Sequence, residues 1–301
     1  MALRFDAGEV LTAMVTPFDE KRNIDYAAVE KLVKHLVNNG SDAIIVAGTT
    51  GESPTLTHEE EYELLYSVKT NAQKDVKVIL GAGSNSTRTA VDSSKKAQEL
   101  GADAILSVVP YYNKPNQKGL IEHFGAIARA VDLPIILYNI PSRTGISMAP
   151  QTVAFLAKEY PNIVALKQSC ADLDLVSEVR SICPEDFAIY SGDDSLTLPM
   201  LSLGAHGVVS VASHIVGSEI KSMIRNYKAG QVGAARNMHM KLFPLFKKLF
   251  MAPNPVPVKA ALSSLKILEN FVRRPLVELD EMERQELFDV LTSVLNNIKE
   301  N

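Results

Sequence analysis

Lys167 closes an apolar run, Ile163-Val-Ala-Leu166, of the kind that forms a short buried strand. A buried ammonium loses its hydration, so lysine seldom stays inside without a partner. Two readings follow: the side chain emerges from the strand end into solvent, or it is a desolvated amine used as a nucleophile. An ordinary lysine titrates near 10.4, leaving only about 0.04% free amine at pH 7, and desolvation is what raises that fraction. Other polar groups also follow apolar runs. Tyr138 ends Pro134–Tyr138, where its hydroxyl is either satisfied in a core or placed to shuttle protons. The loop Gly48-Thr-Thr-Gly-Glu52 is either a structural turn or a cradle for a small anion such as a carboxylate. Arg143 lies between Pro141 and Gly145, which restrict its loop. Its guanidinium suits bidentate carboxylate binding or a surface ion pair.

Several chemistries are absent from the pattern. The six histidines (35, 58, 123, 206, 214 and 239) show no paired spacing, and neither Cys-x-x-Cys nor His-Glu-x-x-His occurs, so no metal is expected. Gly81-Ala-Gly-Ser-Asn85 lacks the Gly-Lys-Ser/Thr ending of a phosphate loop, so no nucleotide is expected. The chain has 301 residues, 46% hydrophobic and 22% charged, with a formal charge of −4, which predicts neither nucleic acid nor an anionic membrane as partner. No apolar run approaches the ~18 residues of a membrane span. Only Cys170 and Cys183 occur, and the first residues lack the apolar core of a signal peptide, so a cytoplasmic location is expected.

The elements that would position these groups alternate. Strands are predicted at Val10–Val15, Ala43–Ala47, Lys77–Leu80, Ala104–Val109, Pro134–Tyr138, Ile163–Leu166, Phe187–Tyr190 and Gly207–Val211. Helices follow each in turn: Asp25–Asn39, His58–Gln73, Thr87–Leu100, Gly119–Val131, Pro150–Tyr160, Leu173–Ile182, Ser195–Leu203 and Gly217–Lys228. Eight such units have the count and length of an α/β protein of the (β/α)8 barrel type. The strands are near-continuous apolar runs, as parallel strands covered on both faces must be. Gly40-Ser-Asp-Ala-Ile, Gly101-Ala-Asp-Ala-Ile and Gly204-Ala-His-Gly-Val repeat a helix-to-strand junction in which glycine caps the helix. A doubly wound open sheet is disfavoured, because no Gly-x-Gly-x-x-Gly follows the first strand. In a barrel the C-terminal strand ends share one mouth. That places Thr49, Thr50, Tyr111, Tyr112, Tyr138, Arg143, Lys167, Gly192 and Ser210 together.

From Gln231 the alternation stops. Helices are predicted at Val232–Phe250, Val258–Leu268 and Asp280–Ile298, with a rigid turn at Ala252-Pro-Asn-Pro-Val-Pro257. The expected division is a catalytic barrel over 1–230 and a C-terminal helical appendage over 231–301.

Gly48-Thr-Thr-Gly-Glu-Ser53, Tyr138-Asn-Ile-Pro-Ser-Arg-Thr-Gly145 and Lys167 together resemble the pyruvate-dependent class I aldolase and lyase family. Val109-Pro-Tyr-Tyr-Asn-Lys-Pro115, Gly207-Val-Val-Ser-Val211 and Pro253-Asn-Pro-Val-Pro-Val-Lys259 extend the resemblance over nearly the whole chain. It implies that Lys167 forms a Schiff base with pyruvate, whose enamine attacks L-aspartate 4-semialdehyde. It makes Tyr138 the acid/base group, relaying protons through the Thr49 hydroxyl and through Tyr112 of an adjacent subunit. Thr50 would hold the pyruvate carboxylate, Arg143 that of the aldehyde, and Gly192 and Val209 would line the pyruvate pocket through backbone groups. The resemblance further implies a homotetramer of tight dimers and no cofactor beyond the covalent Schiff base.

Some members are inhibited by lysine at the dimer interface, and Ser53, His58, Asn85 and Tyr111 match that possible allosteric site. Glu61 and Thr89 stand where strongly inhibited members carry a histidine and a glutamate, so weak or absent inhibition is expected. Gln168 also departs from the glutamate that often follows the lysine. The competing activities are N-acetylneuraminate lyase and 2-keto-3-deoxy sugar acid aldolase, which share the lysine, tyrosine and loop. Arg143 and Tyr111-Tyr112 favour the semialdehyde, since a sugar calls for neutral hydroxyl-binding groups. A non-catalytic keto-acid sensor would show a broken constellation, whereas every relay position here is filled.

Overall fold

The computed structural model describes residues 3–299. Residues 1, 2, 300 and 301, at the outer ends of the two expected segments, lie outside the described residues. Eight strands, β1 (Val10–Ala13), β2 (Ala43–Val46), β3 (Lys77–Gly81), β4 (Ala104–Val108), β5 (Ile135–Asn139), β6 (Ile163–Gln168), β7 (Ala188–Ser191) and β8 (Gly207–Ser210), close into a barrel in chain order. All neighbours are parallel, including β1 with β8. Around it run α1 (Tyr26–Asn38), α2 (His58–Asn71), α3 (Thr87–Glu99), α4 (Gln117–Ala130), α5 (Pro141–Thr144), α6 (Pro150–Glu159), α7 (Leu173–Ile182), α8 (Thr197–Leu201) and α9 (Ser213–Lys228).

Local chemistry sets the helix boundaries. Asp25, Ser86, Asn116 and Asp172 each accept a backbone N–H at a helix start, and Thr57 with Glu60 forms a reciprocal capping box on α2. The three junction glycines adopt positive φ: +90° at Gly40, +74° at Gly101 and +85° at Gly204. Side chains alternate across each strand. On β2, Ala43 and Ile45 face the barrel interior while Ile44 and Val46 pack under the helices.

The structure differs from the sequence reading at several ends. Strand β6 continues through Lys167 and Gln168, because both pair with Tyr138 and Asn139 on β5 and with Tyr190 and Ser191 on β7. The predicted helix at Ser195–Leu203 is a 3-10 turn, Asp194–Leu196, followed by the short α8. Helix α9 starts earlier than predicted and kinks at Val216 (φ −122°, ψ 39°). The loop carrying Arg143 is the one-turn helix α5, closed by Gly145 at φ +75°.

Beyond the barrel lie α10 (Val232–Lys248), α11 (Val256–Ser264) and α12 (Glu281–Lys299). Their apolar faces, through Leu242, Phe246, Val258 and Leu291, belong to the same hydrophobic cluster as the barrel's outer layer. No helix among the described residues is long and apolar enough to cross a membrane.

Candidate active site

The ladder between β5 and β6 sets Tyr138 directly beside Lys167. Both fall on inward positions of their strands, so Leu137 and Leu166 pack outward under the helices and these two side chains meet inside the barrel. The Lys167 Nζ lies 4.1 Å from the centre of the Tyr138 ring, and the two residues are 6% and 5% exposed. That burial excludes the reading in which the side chain simply emerges into solvent. Gln168, one residue on, points outward and accepts a hydrogen bond from Asn139 Nδ2 at 3.0 Å. Its departure from the usual glutamate therefore sits behind the strand and away from the amine.

A cavity of about 290 Å³ opens over this pair, lined by Lys167, Tyr138, Gly48, Thr49 and Thr50 among others. The loop from 48 to 52 is a tight turn in which Gly51 N–H and Glu52 N–H donate to Gly48 O and Thr49 O. It approaches β3 closely: a Cβ on Gly81 would lie 2.4 Å from Ala47 O, so only glycine fits there. Gly192, after β7, is packed on the lysine itself. A Cβ there would lie 3.0 Å from Lys167 Cε. Val209 is buried on β8, in the interior cluster that also holds Tyr138. Four of the groups expected at the pocket, Gly192, Val209, Arg143 and Tyr112, stand apart from the cavity lining. Arg143 is exposed on α5, and Tyr112 is 89% exposed with a left-handed backbone (φ +69°). Such a conformation is uncommon for an aromatic residue and is the kind of strain found at functional sites.

One arm of the cavity runs between α2 and α3, past Ser53, His58, Glu61, Thr89 and Tyr111. Asn85 does not line it but donates to Tyr111 O at 3.3 Å. Glu61 is 8% exposed, burial raises its carboxyl above the ordinary range, and His58 Nδ1 lies 3.0 Å from its Oε2. An acid is thus present in this arm, engaged by His58, although Thr89 supplies none.

Residues 6–294 match the dihydrodipicolinate synthetase family. The chain belongs to that family. It is 55% identical to the 4-hydroxy-tetrahydrodipicolinate synthase of Synechococcus sp. (strain JA-2-3B'a(2-13)), over 94% of this chain and 92% of that one. With the enzyme of the same name from Bacillus subtilis (strain 168) the identity is 50%, covering 95% and 99% of the two chains. Among solved structures, that of DHDPS from Cyanidioschyzon merolae with lysine bound superposes with a TM-score of 0.94, at 50% identity over 95% and 98% of the two chains.

Sequence reasoning passed over several groups in this dihydrodipicolinate synthetase fold. Asp193 follows Gly192, and burial raises its carboxyl while Lys167 pulls it back down. Asp194 is fully buried, which raises its carboxyl, and it ties β7 to β8 by accepting Val211 N–H (3.1 Å), Ala212 N–H (2.9 Å) and the Ser210 hydroxyl. Ser210, expected at the mouth, is thereby engaged in holding the strand end. The repeated acid after Gly192, at a strand's C-terminal end, was the available signal. The loop from 48 to 52 is also gripped from the C-terminal segment, through Asn254 in the turn before α11 and Lys259 on α11, more than 200 residues away. Among the described residues no three His, Cys, Asp or Glu side chains gather as a metal site.

Proposed function

We propose that the protein is a lyase with the activity of a 4-hydroxy-tetrahydrodipicolinate synthase, condensing pyruvate with L-aspartate 4-semialdehyde. The observation that carries this reading is the buried Lys167–Tyr138 pair, with the Lys167 Nζ 4.1 Å from the Tyr138 ring centre, lining a cavity that also holds Thr49 and Thr50. The Lys167 amine attacks C2 of pyruvate, and loss of water leaves a protonated Schiff base. That cation withdraws electrons from C3, so a methyl proton leaves and an enamine forms. The C3 carbon then bonds to the aldehyde carbon of the second substrate. Its carbonyl oxygen takes up a proton, and the amino group of the semialdehyde then attacks C2, closing the ring and releasing the Lys167 amine.

Each proton transfer needs a group within reach of the reacting atoms. Tyr138 is the acid/base group in this proposal, with Thr49 and Tyr112 as its relay. Thr50 holds the pyruvate carboxylate, Arg143 binds that of the aldehyde, and Gly192 and Val209 shape the pocket. The loop amides and hydroxyls favour an anion, which fits a keto acid rather than a neutral ketone. Chemistry carried by a Schiff base on the protein's own lysine calls for no metal or other cofactor. The exposed, strained Tyr112 is consistent with a residue completed by a neighbouring subunit, and a homotetramer in the cytoplasm is part of the proposal. So is the division into a catalytic barrel (1–230) and a helical appendage (231–301). Feedback inhibition by lysine through the arm at Ser53, His58, Asn85 and Tyr111 is proposed to be weak, since Glu61 is already engaged by His58.

Turnover of the purified protein tests the reading. Pyruvate with aspartate semialdehyde should react, and sialic acid and 2-keto-3-deoxy sugar acids should not be cleaved. Cleavage of a sugar acid without reaction of the semialdehyde would replace the substrate assignment. Pyruvate binding without turnover of any pair would favour a sensor.

A further inference from the structure

The loop that carries Thr49 and Thr50 is not held by the barrel alone. Its end, Glu52, adopts a left-handed backbone (φ +59°), and its carboxylate is buried. One oxygen accepts from Lys259 Nζ at 2.5 Å and the other from Arg273 N–H at 2.8 Å. Lys259 is fully buried on α11, donates to Phe271 O, and lies 4.1 Å from the centre of the Phe18 ring. A second tie reaches the loop two residues earlier. Asn254 Nδ2 donates to Thr50 Oγ1 at 2.9 Å, in a buried contact. Asn254 Oδ1 is buried and has no hydrogen-bond partner among the described residues, so the side chain is committed to Thr50 through its amide alone.

The direction of this second bond has a chemical consequence. A threonine hydroxyl has one proton to give. With Asn254 donating to the oxygen, that proton is left for another acceptor, and Thr50 lines the cavity. We infer that Asn254 is a positioning residue that fixes the Thr50 hydroxyl as a donor toward a substrate carboxylate, on a loop anchored by the Glu52–Lys259 pair. The C-terminal segment thus sets the polarity of the anion site. The inference rests on the carboxylate-binding reading of this loop given above.

Asn254→Ala removes the bond, and Asn254→Asp keeps the shape but offers only acceptors, which would draw the Thr50 proton away from the substrate. The readout is the pyruvate concentration that half-saturates borohydride trapping, which involves no second substrate, beside steady-state kinetics and a thermal melt. Half-saturation should rise about tenfold in Asn254→Ala and at least as much in Asn254→Asp, the size expected for losing a hydrogen bond to a charged group. The KM for aspartate semialdehyde should stay within about twofold, since only interactions with pyruvate are removed. An unchanged half-saturation in both variants would overturn the inference. So would a wild-type value in Asn254→Asp, because the asparagine oxygen would then be what faces Thr50. A parallel loss of melting temperature and of every kinetic parameter would make the role purely structural and also overturn it. Wild-type protein that traps no pyruvate would instead refute the carboxylate reading, before any variant is made.

Discussion

Gly192→Ala probes how closely Lys167, the proposed nucleophile, is held. An added Cβ would lie 1.8 Å from Ser169 Oγ, 2.9 Å from Ser169 Cβ and 3.0 Å from Lys167 Cε. The first clash is cheap to relieve, because the buried Ser169 hydroxyl has no partner among the described residues and can rotate away. The other two are not relieved by rotation. Carbon atoms rest about 3.5–4.0 Å apart, so the lysine chain must shift by roughly 0.5–1 Å. Overpacking of this kind costs about 1–3 kcal/mol of stability, and a misplacement approaching 1 Å costs on the order of 100-fold in rate. The assay is kcat/KM with pyruvate and aspartate semialdehyde, beside a urea unfolding curve. Adding Ser169→Gly removes both contacts to residue 169 and leaves the one to Lys167 Cε. The double variant should regain stability and stay slow. Activity within about threefold of wild type in Gly192→Ala, or recovery of both properties in the double variant, would refute the reasoning that this glycine exists to seat Lys167.

Two further predictions concern stability. Lys259→Met should destabilise the protein by roughly 3–5 kcal/mol, because it removes the ion-pair partner of the Glu52 carboxylate, which is buried at 1% exposure. Glu52→Gln in the same chain should restore most of that in urea unfolding, and a Lys259→Met loss below about 1 kcal/mol would contradict the account. Burial holds the imidazoles of His123 and His214 at about 4, and the Val15 N–H donating to His214 Nε2 at 3.1 Å requires that nitrogen unprotonated. Their folded pKa lies below the unfolded value. Their stabilisation is therefore complete above about pH 6.5 and is lost as pH falls toward 4, about 2 kcal/mol each by pH 5. The buried carboxyls of Glu61, Asp193 and Asp194 are raised and act in the opposite direction, so the comparison is made against a variant. His123→Gln should flatten the fall in stability between pH 7.5 and 5, and an unaltered pH profile would exclude the assignment.

The barrel was legible because parallel strands buried on both faces must be apolar runs, and glycines at 40, 101 and 204 punctuated them. Strand register was not legible. The sequence reading stopped β6 at Leu166, yet the ladder to Tyr138 and Tyr190 carries it past Lys167, and that extension is what buries the amine. The 3-10 turn at Asp194–Leu196 and the kink at Val216 arise from packing around the strand ends, which leaves no periodic trace. The family resemblance pointed to Gly192, but its contact with Lys167 exists only in three dimensions. Asn254 and Lys259 lay within a motif that carried the resemblance. Nothing local in that motif names Thr50 and Glu52 as their partners, because each pair joins residues more than 200 positions apart.

The central claim is that Lys167 is a covalent nucleophile for pyruvate, and borohydride trapping followed by mapping of the modified peptide tests it most directly. Reduction in the presence of pyruvate should add a single carboxyethyl group, located on Lys167 and absent from Lys167→Ala. An unmodified Lys167, or a label found on another lysine, would contradict the account.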